Sequence, residues 1–500
     1  MRRLAVGGCL LALAGCGHMP DLPFIGAAEP EPQPTLAELP VAALDTNREV
    51  VPAQSLEAVA GHYRKVLAVA EDPDVQLQVR RRLADLELLA SEAQESTDAP
   101  VSYAAVIETY QELLAEYPGA DGSDQLVYQM ARAYDMDGRN TESVALMERL
   151  SADFPGSTHR LEAEFRKGES YFSAGDYKRA ERAYLDVAHS ESDHEYRAAS
   201  LYMLGWTRFK LSRHDEAVMA FLDSLDLLLQ DGSRPEAVSR GDREMAADCF
   251  RVLAVIFDAQ GGSTAIAAHF TGPYQRSYQH RVYMALGDLY LEQERYQDSA
   301  DTFAAYASAY PDSPFAHEFR WRVIGVYEAG GFPDAVIAAK ARYVDDYSFG
   351  KDYWSMAAPE QRDVMSPRLR QYLDELARYH HALAQALEGG PATEQYLVAA
   401  DYYGLYIDGF PEDEAVPDMA FLEGESLDAG AEYRRAIESY EWMAYSYPEH
   451  PQAAEAAYAA VLAYHRLKPL QGDEQLNLID SQLQFARRFP DDARAPAVQA

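Results

Sequence analysis

Residues with the types and spacing to do chemistry are sparse in this chain of 500. Two dipeptides, Glu169-Ser170 and Glu425-Ser426, are the nearest the chain comes to a catalytic glutamate, and neither is accompanied by the rest of a catalytic motif. Both lie inside stretches of helical periodicity. His189, Glu191, Asp193 and His194 gather in HSESDH with the side chains of a metal site, but no further ligand can be assigned and a solvated loop is expected. Cys249, in the apolar stretch MAADCFRVLAVIF, reads as a buried small residue and not a nucleophile. The pairs Gly261-Gly262, Gly330-Gly331 and Gly389-Gly390 are followed by no Lys-Ser or Lys-Thr, so they are expected to cap helices and not to cradle phosphate. HExxH, paired CxxC and Gly-x-Ser-x-Gly are all missing. The expectation is a chain with no catalytic residue, no metal and no cofactor, hence no enzyme.

The elements that carry these residues are helical hairpins. In YMALGDLYLEQERYQDSADTFAAYASAYP, residues 283–311, Tyr283, Leu286, Gly287 and Tyr290 share one helical face. A polar turn follows, and then a second stripe runs through Ala300, Phe303 and Tyr306 until Pro311 ends it. Gly287 lets the second helix cross close to the first, with Phe303 filling the space between them. Such a hairpin cannot bury its faces alone and needs copies. Tyr134, Tyr171 and Arg208 take the place of Tyr290 in three units spaced 37 residues apart. Gly168 and Gly205 then fall in the Gly slot, and Tyr184 and Phe221 in the Phe slot. Tyr327 marks a further unit, and Gly424, Ala436, Tyr440 and Pro448 another.

This pattern resembles the tetratricopeptide repeat. The resemblance implies an all-α fold, a right-handed superhelix of helical hairpins in which each first helix lines the concave face. The residue after the first bulky slot would then point partly into the groove, giving Tyr128, Phe165, Tyr202, Met284, Trp321 and Phe421. One turn on come Arg132, Glu169, Trp206, Asp288, Gly325 and Glu425. The candidate groove residues are Tyr128, Arg132, Phe165, Glu169, Tyr202, Trp206, Trp321 and Phe421, a mixture suited to an extended peptide or a partner helix. The competing reading is that the rings pack between neighbouring hairpins.

The chain begins MRRLAVGGCLLALAGC, two arginines and an apolar run too short to span a bilayer as a permanent helix. Leu13-Ala14-Gly15-Cys16 resembles the bacterial lipobox, which implies cleavage after residue 15 and lipidation of Cys16. Gly17 follows in place of the Asp that often retains such proteins at the inner membrane, so the destination implied is the periplasmic face of the outer membrane. Residues 16–50, with prolines at 20, 23, 30, 32, 34 and 40, read as an extended tether. The organisation expected is a signal over 1–15, the tether over 16–50, a superhelix over 51–343, an inserted loop over 344–367 and a second superhelix over 368–500. The loop, VDDYSFGKDYWSMAAPEQRDVMSP, is either functional or a connector that packs its own Tyr347, Phe349, Tyr353 and Trp354.

A formal charge of −37 argues against nucleic acid and anionic lipid surfaces as partners of the folded body. It fits adaptation to salt or a codon bias, or a surface that steers basic partners. A lipobox followed by such repeats is similar to outer-membrane lipoproteins of the BamD type and to other envelope-complex repeat lipoproteins. The function this implies is an anchored periplasmic scaffold binding periplasmic or outer-membrane proteins. The alternatives are an accessory of peptidoglycan remodelling, and a part of a motility or secretion machine.

Overall fold

The protein is described from a computed structural model covering residues 55–95, 102–119, 121–190, 194–229, 238–272, 275–467, 470 and 472–498. The expected signal, Cys16 and the tether lie outside the described residues, as do Glu191 and Asp193 of HSESDH. Every regular element among the described residues is a helix. The array opens with α1 (Leu56–Leu67), α2 (Pro73–Glu95) and α3 (Ala104–Glu116). Hairpins follow as α4 (Ser123–Met136) with α5 (Asn140–Asp153), α6 (Arg160–Ser173) with α7 (Tyr177–Ala188), and α8 (Tyr196–Lys210) with α9 (His214–Leu228). Next come α10 (Arg240–Gln260) with α11 (Ser263–His269), α12 (Gln279–Glu292) with α13 (Tyr296–Ala309), and α14 (Ala316–Gly330) with α15 (Pro333–Tyr347). The short α16 (Asp352–Met356) leads to α17 (Pro359–Gln385) with α18 (Gly390–Gly409). The chain closes with α19 (Val416–Ala429) and α20 (Tyr433–Ser446), α21 (Ala453–Arg466) and α22 (Glu474–Arg488), and α23 (Ala495–Val498). None of these helices is long and apolar enough to cross a membrane.

One turn design recurs inside the hairpins. A residue with positive φ, at 138, 175, 212, 294, 331 and 431, reverses the chain. The next amide donates back to the carbonyl of Tyr134, Tyr171, Arg208, Tyr290, Tyr327 or Leu427, at 2.8–3.0 Å. This bond satisfies a carbonyl that the ended helix would leave free. The tyrosine slot of the sequence is therefore also the acceptor that ends each first helix. Asp176 caps the start of α7 by accepting from the Arg179 amide.

Close crossing of the two helices depends on the Gly slot. A Cβ added at Gly168 would lie 2.6 Å from the Tyr184 ring, one at Gly205 2.7 Å from Phe221, and one at Gly424 2.5 Å from Tyr440. At Gly287 the added atom would collide with Phe303 more severely still. Tyr184, Phe221 and Phe303 are fully buried, so each of these hairpins is cemented by an aromatic ring lying on a bare helix backbone. Cys249 is buried in the same core, and desolvation raises its thiol pKa, which keeps it from acting as a nucleophile.

The stretch expected as an inserted loop over 344–367 is mostly helical. α15 runs through Tyr347, α16 follows, and α17 begins at Pro359 and carries Pro367 inside it. Tyr347 and Tyr353 are buried, Phe349 packs on Phe410 and Trp354 with ring centroids 5.1 and 4.6 Å away, and the Tyr353 hydroxyl donates to the Ser313 carbonyl. One apolar cluster continues through this stretch from Ala316 to Met419, so the stretch is a connector that packs its own aromatics within a continuous core. The aromatic density of the stretch reflects how much surface that connector buries.

Candidate partner-binding face

The first helices of successive hairpins touch side chain to side chain. Arg132 on α4 reaches Glu92 on α2 at 2.6 Å. Arg322 on α14 reaches Asp288 on α12 at 2.8 Å, and Arg466 on α21 pairs with Asp428 on α19. The candidate residues lie along this ladder, in different states of burial.

Tyr128 is only 3% exposed, stacked on His159 with centroids 4.5 Å apart, and Phe421 is 7% exposed against Tyr440. These two rings are core, because the next hairpin closes over them. Phe165 is half-buried between Tyr184 and Tyr196. Tyr202 and Trp206, one turn apart on α8, converge on one carboxylate. The Tyr202 hydroxyl donates to Asp248 at 2.8 Å and the Trp206 indole N–H donates to the same oxygen at 3.2 Å. Arg251 bonds the other Asp248 oxygen at 2.6 Å and lies over the Trp206 ring. Desolvation, with the Asp248 bond behind it, pushes the Tyr202 hydroxyl up to about 12, so it remains a donor at neutral pH.

Trp321 keeps 37% of its surface, with the Arg368 guanidinium 4.1 Å from its ring centroid and Glu318 holding Arg368 at 3.2 Å. A Cβ added at Gly325, one turn on, would touch nothing within 4 Å, so the ground next to Trp321 is open. Glu169 and Glu425 are exposed, yet both carboxyls have raised pKa values. The largest cause in each case is desolvation, followed for Glu425 by the like charge of Glu455; Asp135 adds a like charge beside Glu169, against the opposing pull of Arg166.

Sequence reasoning missed Asp248, Arg251 and Arg368, which organise the rings. They stand on α10 and α17, whose register is displaced by the insertions before them, so the 37-residue spacing does not reach them. The one available signal for Asp248 was a lone carboxylate in an apolar helix. In the Glu425-Ser426 dipeptide the two side chains part: Ser426 is buried with its hydroxyl 3.2 Å from His381 Nδ1, while the Glu425 side chain faces solvent.

The sequence profile of the tetratricopeptide repeat family matches residues 128–189, 165–228 and 264–314. Among solved structures, the chain is similar to the C-terminal part of a TPR repeat-containing protein from Cytophaga hutchinsonii, at 12% identity over 58% of this chain and 98% of that one, TM-score 0.25. A tetratricopeptide repeat protein from Parabacteroides merdae aligns at 12% identity over 68% and 98%, TM-score 0.26. The Cut9–Hcn1 assembly of the APC/C aligns at 12% over 89% and 98%, TM-score 0.29. No curated protein matches the chain.

Proposed function

We propose that this all-helical tetratricopeptide-repeat chain is a scaffold that holds protein partners against the ladder of its first helices, while a lipid on Cys16 keeps it at the periplasmic face of the outer membrane. Tetratricopeptide repeats imply a protein-interaction scaffold. The observation that carries the binding face is a pair of partly exposed tryptophans on first helices, Trp206 of α8 fixed by Asp248 and Trp321 of α14 stacked under Arg368 beside the open Gly325. Rigid aromatic rings with charged neighbours suit the anchoring of a peptide or helix, because they bury apolar area at little entropic cost. The membrane assignment rests on Leu13-Ala14-Gly15-Cys16 and the tether that follows.

Photo-crosslinkers placed in cells at 202, 206 and 321, with Asp186 and Asp301 on second helices as controls, test the binding face. Capture of an envelope protein from 206 and 321 but not from the controls is expected. Capture of a barrel-assembly subunit favours the BamD-type role. A peptidoglycan, motility or secretion protein would move the chain to that machine, and no excess over the controls would end the groove reading. For the anchor, Cys16→Ser is expected to release the chain from the membrane fraction.

A further inference from the structure

The slot one turn below the aromatic stripe holds six residues, and four of them are settled within the array. Arg132 is paired with Glu92, Asp288 with Arg322, Trp206 donates to Asp248, and Gly325 has no side chain. Glu169 and Glu425 differ. Each is exposed, and neither takes a hydrogen bond or ion pair among the described residues. A second difference travels with the first. Where the slot after the close-contact glycine holds Trp206 or Asp288, the ring packed on that glycine is Phe221 or Phe303. Where it holds Glu169 or Glu425, the ring is Tyr184 or Tyr440, so a hydroxyl is present only beside an unpaired glutamate.

At Tyr184 that hydroxyl is fully buried and has no partner. The ring end that bears it lies against Gly168, since a Cβ there would be 2.9 Å from the Tyr184 Cζ, and Glu169 is the next residue. Leaving a buried hydroxyl unbonded costs about 1–3 kcal/mol, which a phenylalanine would avoid. Asp135 adds a second carboxylate near Glu169, where Arg166 pulls the other way but is held by Glu162 at 2.9 Å, and Glu455 adds a like charge near Glu425 while itself paired with Arg494. Half-buried Phe165 walls the first site, 5.9 Å from the Tyr184 ring, whereas its counterpart Phe421, 6.0 Å from Tyr440, is core and gives the second site no open apolar wall.

We propose that Glu169 with Tyr184, and at the corresponding place Glu425 with Tyr440, each take a lysine or arginine side chain of the bound protein segment. The proposal rests on the scaffold reading and names the chemistry of its partner, a basic extended segment. An ammonium or guanidinium brings several donors and a full charge, enough for the glutamate and its neighbouring carboxylate, while at the first site its aliphatic stem lies along Phe165. The −37 charge of the chain draws such a segment in, and the two sites give it register.

The test uses the full chain in detergent and a fluorescein-labelled peptide of alternating lysine and alanine, read by anisotropy. Glu169→Gln and Glu425→Gln are each expected to weaken binding about five-fold, against less than about two-fold for Glu112→Gln and Glu412→Gln, which remove exposed carboxylates elsewhere. Tyr184→Phe and Tyr440→Phe keep the rings and are expected to weaken binding without lowering the thermal midpoint. Equal losses from the control pair would reduce the effect to diffuse attraction and overturn the two sites. Crosslinking from Trp206 and Trp321 that persists undiminished in the double Glu→Gln variant would also sink them, while leaving the scaffold reading intact.

Discussion

The hairpins α12–α13 and α14–α15 are neighbours in register, 37 residues apart, yet their seams are filled by opposite means. In the first, Gly287 has no side chain and Phe303 occupies the gap. In the second, Ile324 stands in the Gly slot and Lys340 in the Phe slot, and Lys340 is only 7% exposed. A seam of fixed width is filled once, from whichever helix brings the volume. The lysine stem supplies the packing, and its ammonium is met by Glu375 at 2.7 Å, Glu328 at 3.1 Å and the face of Tyr372 at 5.3 Å. Burial works against that charge, but the two glutamates outweigh it and raise the lysine pKa. An apolar seam needs nothing beyond shape, whereas a charged one is bound to partners on α14 and α17, so it also ties three helices together.

Breaking the first seam should have the largest effect. Gly287→Ala places a methyl inside the Phe303 ring and is expected to cost roughly 3 kcal/mol, seen as a lower unfolding midpoint, because neither backbone nor buried ring can give way. Gly325→Ala, in the neighbouring hairpin and next to open space, is expected to be neutral or to stabilise by up to about 1 kcal/mol. Equal losses from the two would show that helical glycines here matter for some reason other than close crossing.

Acid should come next. His280 on α12 stacks on Phe315 with centroids 3.8 Å apart, and burial first, then Arg281, pull its pKa down to about 4. A base with a depressed folded pKa binds fewer protons folded than unfolded, so stability falls as pH drops from about 6.5 towards about 4. At pH 5 the loss relative to neutral pH is roughly 2 kcal/mol by linkage. His317 occupies the equivalent place on α14 and is shifted in the same direction by burial, so both hairpins should share the sensitivity. Thermal midpoints at pH 7 and pH 5 for the natural chain and His280→Leu check this. A variant that loses as much as the natural chain would place the sensitivity elsewhere.

The smallest effect sharpens the comparison. Lys340→Met keeps the volume and removes the charge, leaving Glu328 and Glu375 exposed enough to hydrate, so a change within about 1 kcal/mol in either direction is expected. A much larger loss in urea unfolding would mean that the ion pairs, and not the stem, hold the second seam.

The repeating unit was legible in the sequence because its slots are set by local geometry: a bare glycine, a ring sixteen residues later in the numbering, and a carbonyl that must be bonded where the helix ends. Helix type and hairpin pairing needed nothing more than the 3.6-residue period and that spacing. The fate of each aromatic side chain was not legible. Tyr128, Phe165, Tyr202 and Phe421 carry the same type in the same slot, yet two are core and two are half-buried, because the position of the following hairpin decides how much of each ring stays open. The stretch 344–367 looked like a loop because its period is broken, and it is helical because the Tyr343, Tyr347 and Tyr353 rings pack together and over α17. Sequence determined which residues could be neighbours within a hairpin. Only the tertiary structure decided which charges were neutralised between hairpins, and so left Glu169 and Glu425 unpaired, since ion pairs across helices depend on stacking that no local rule encodes.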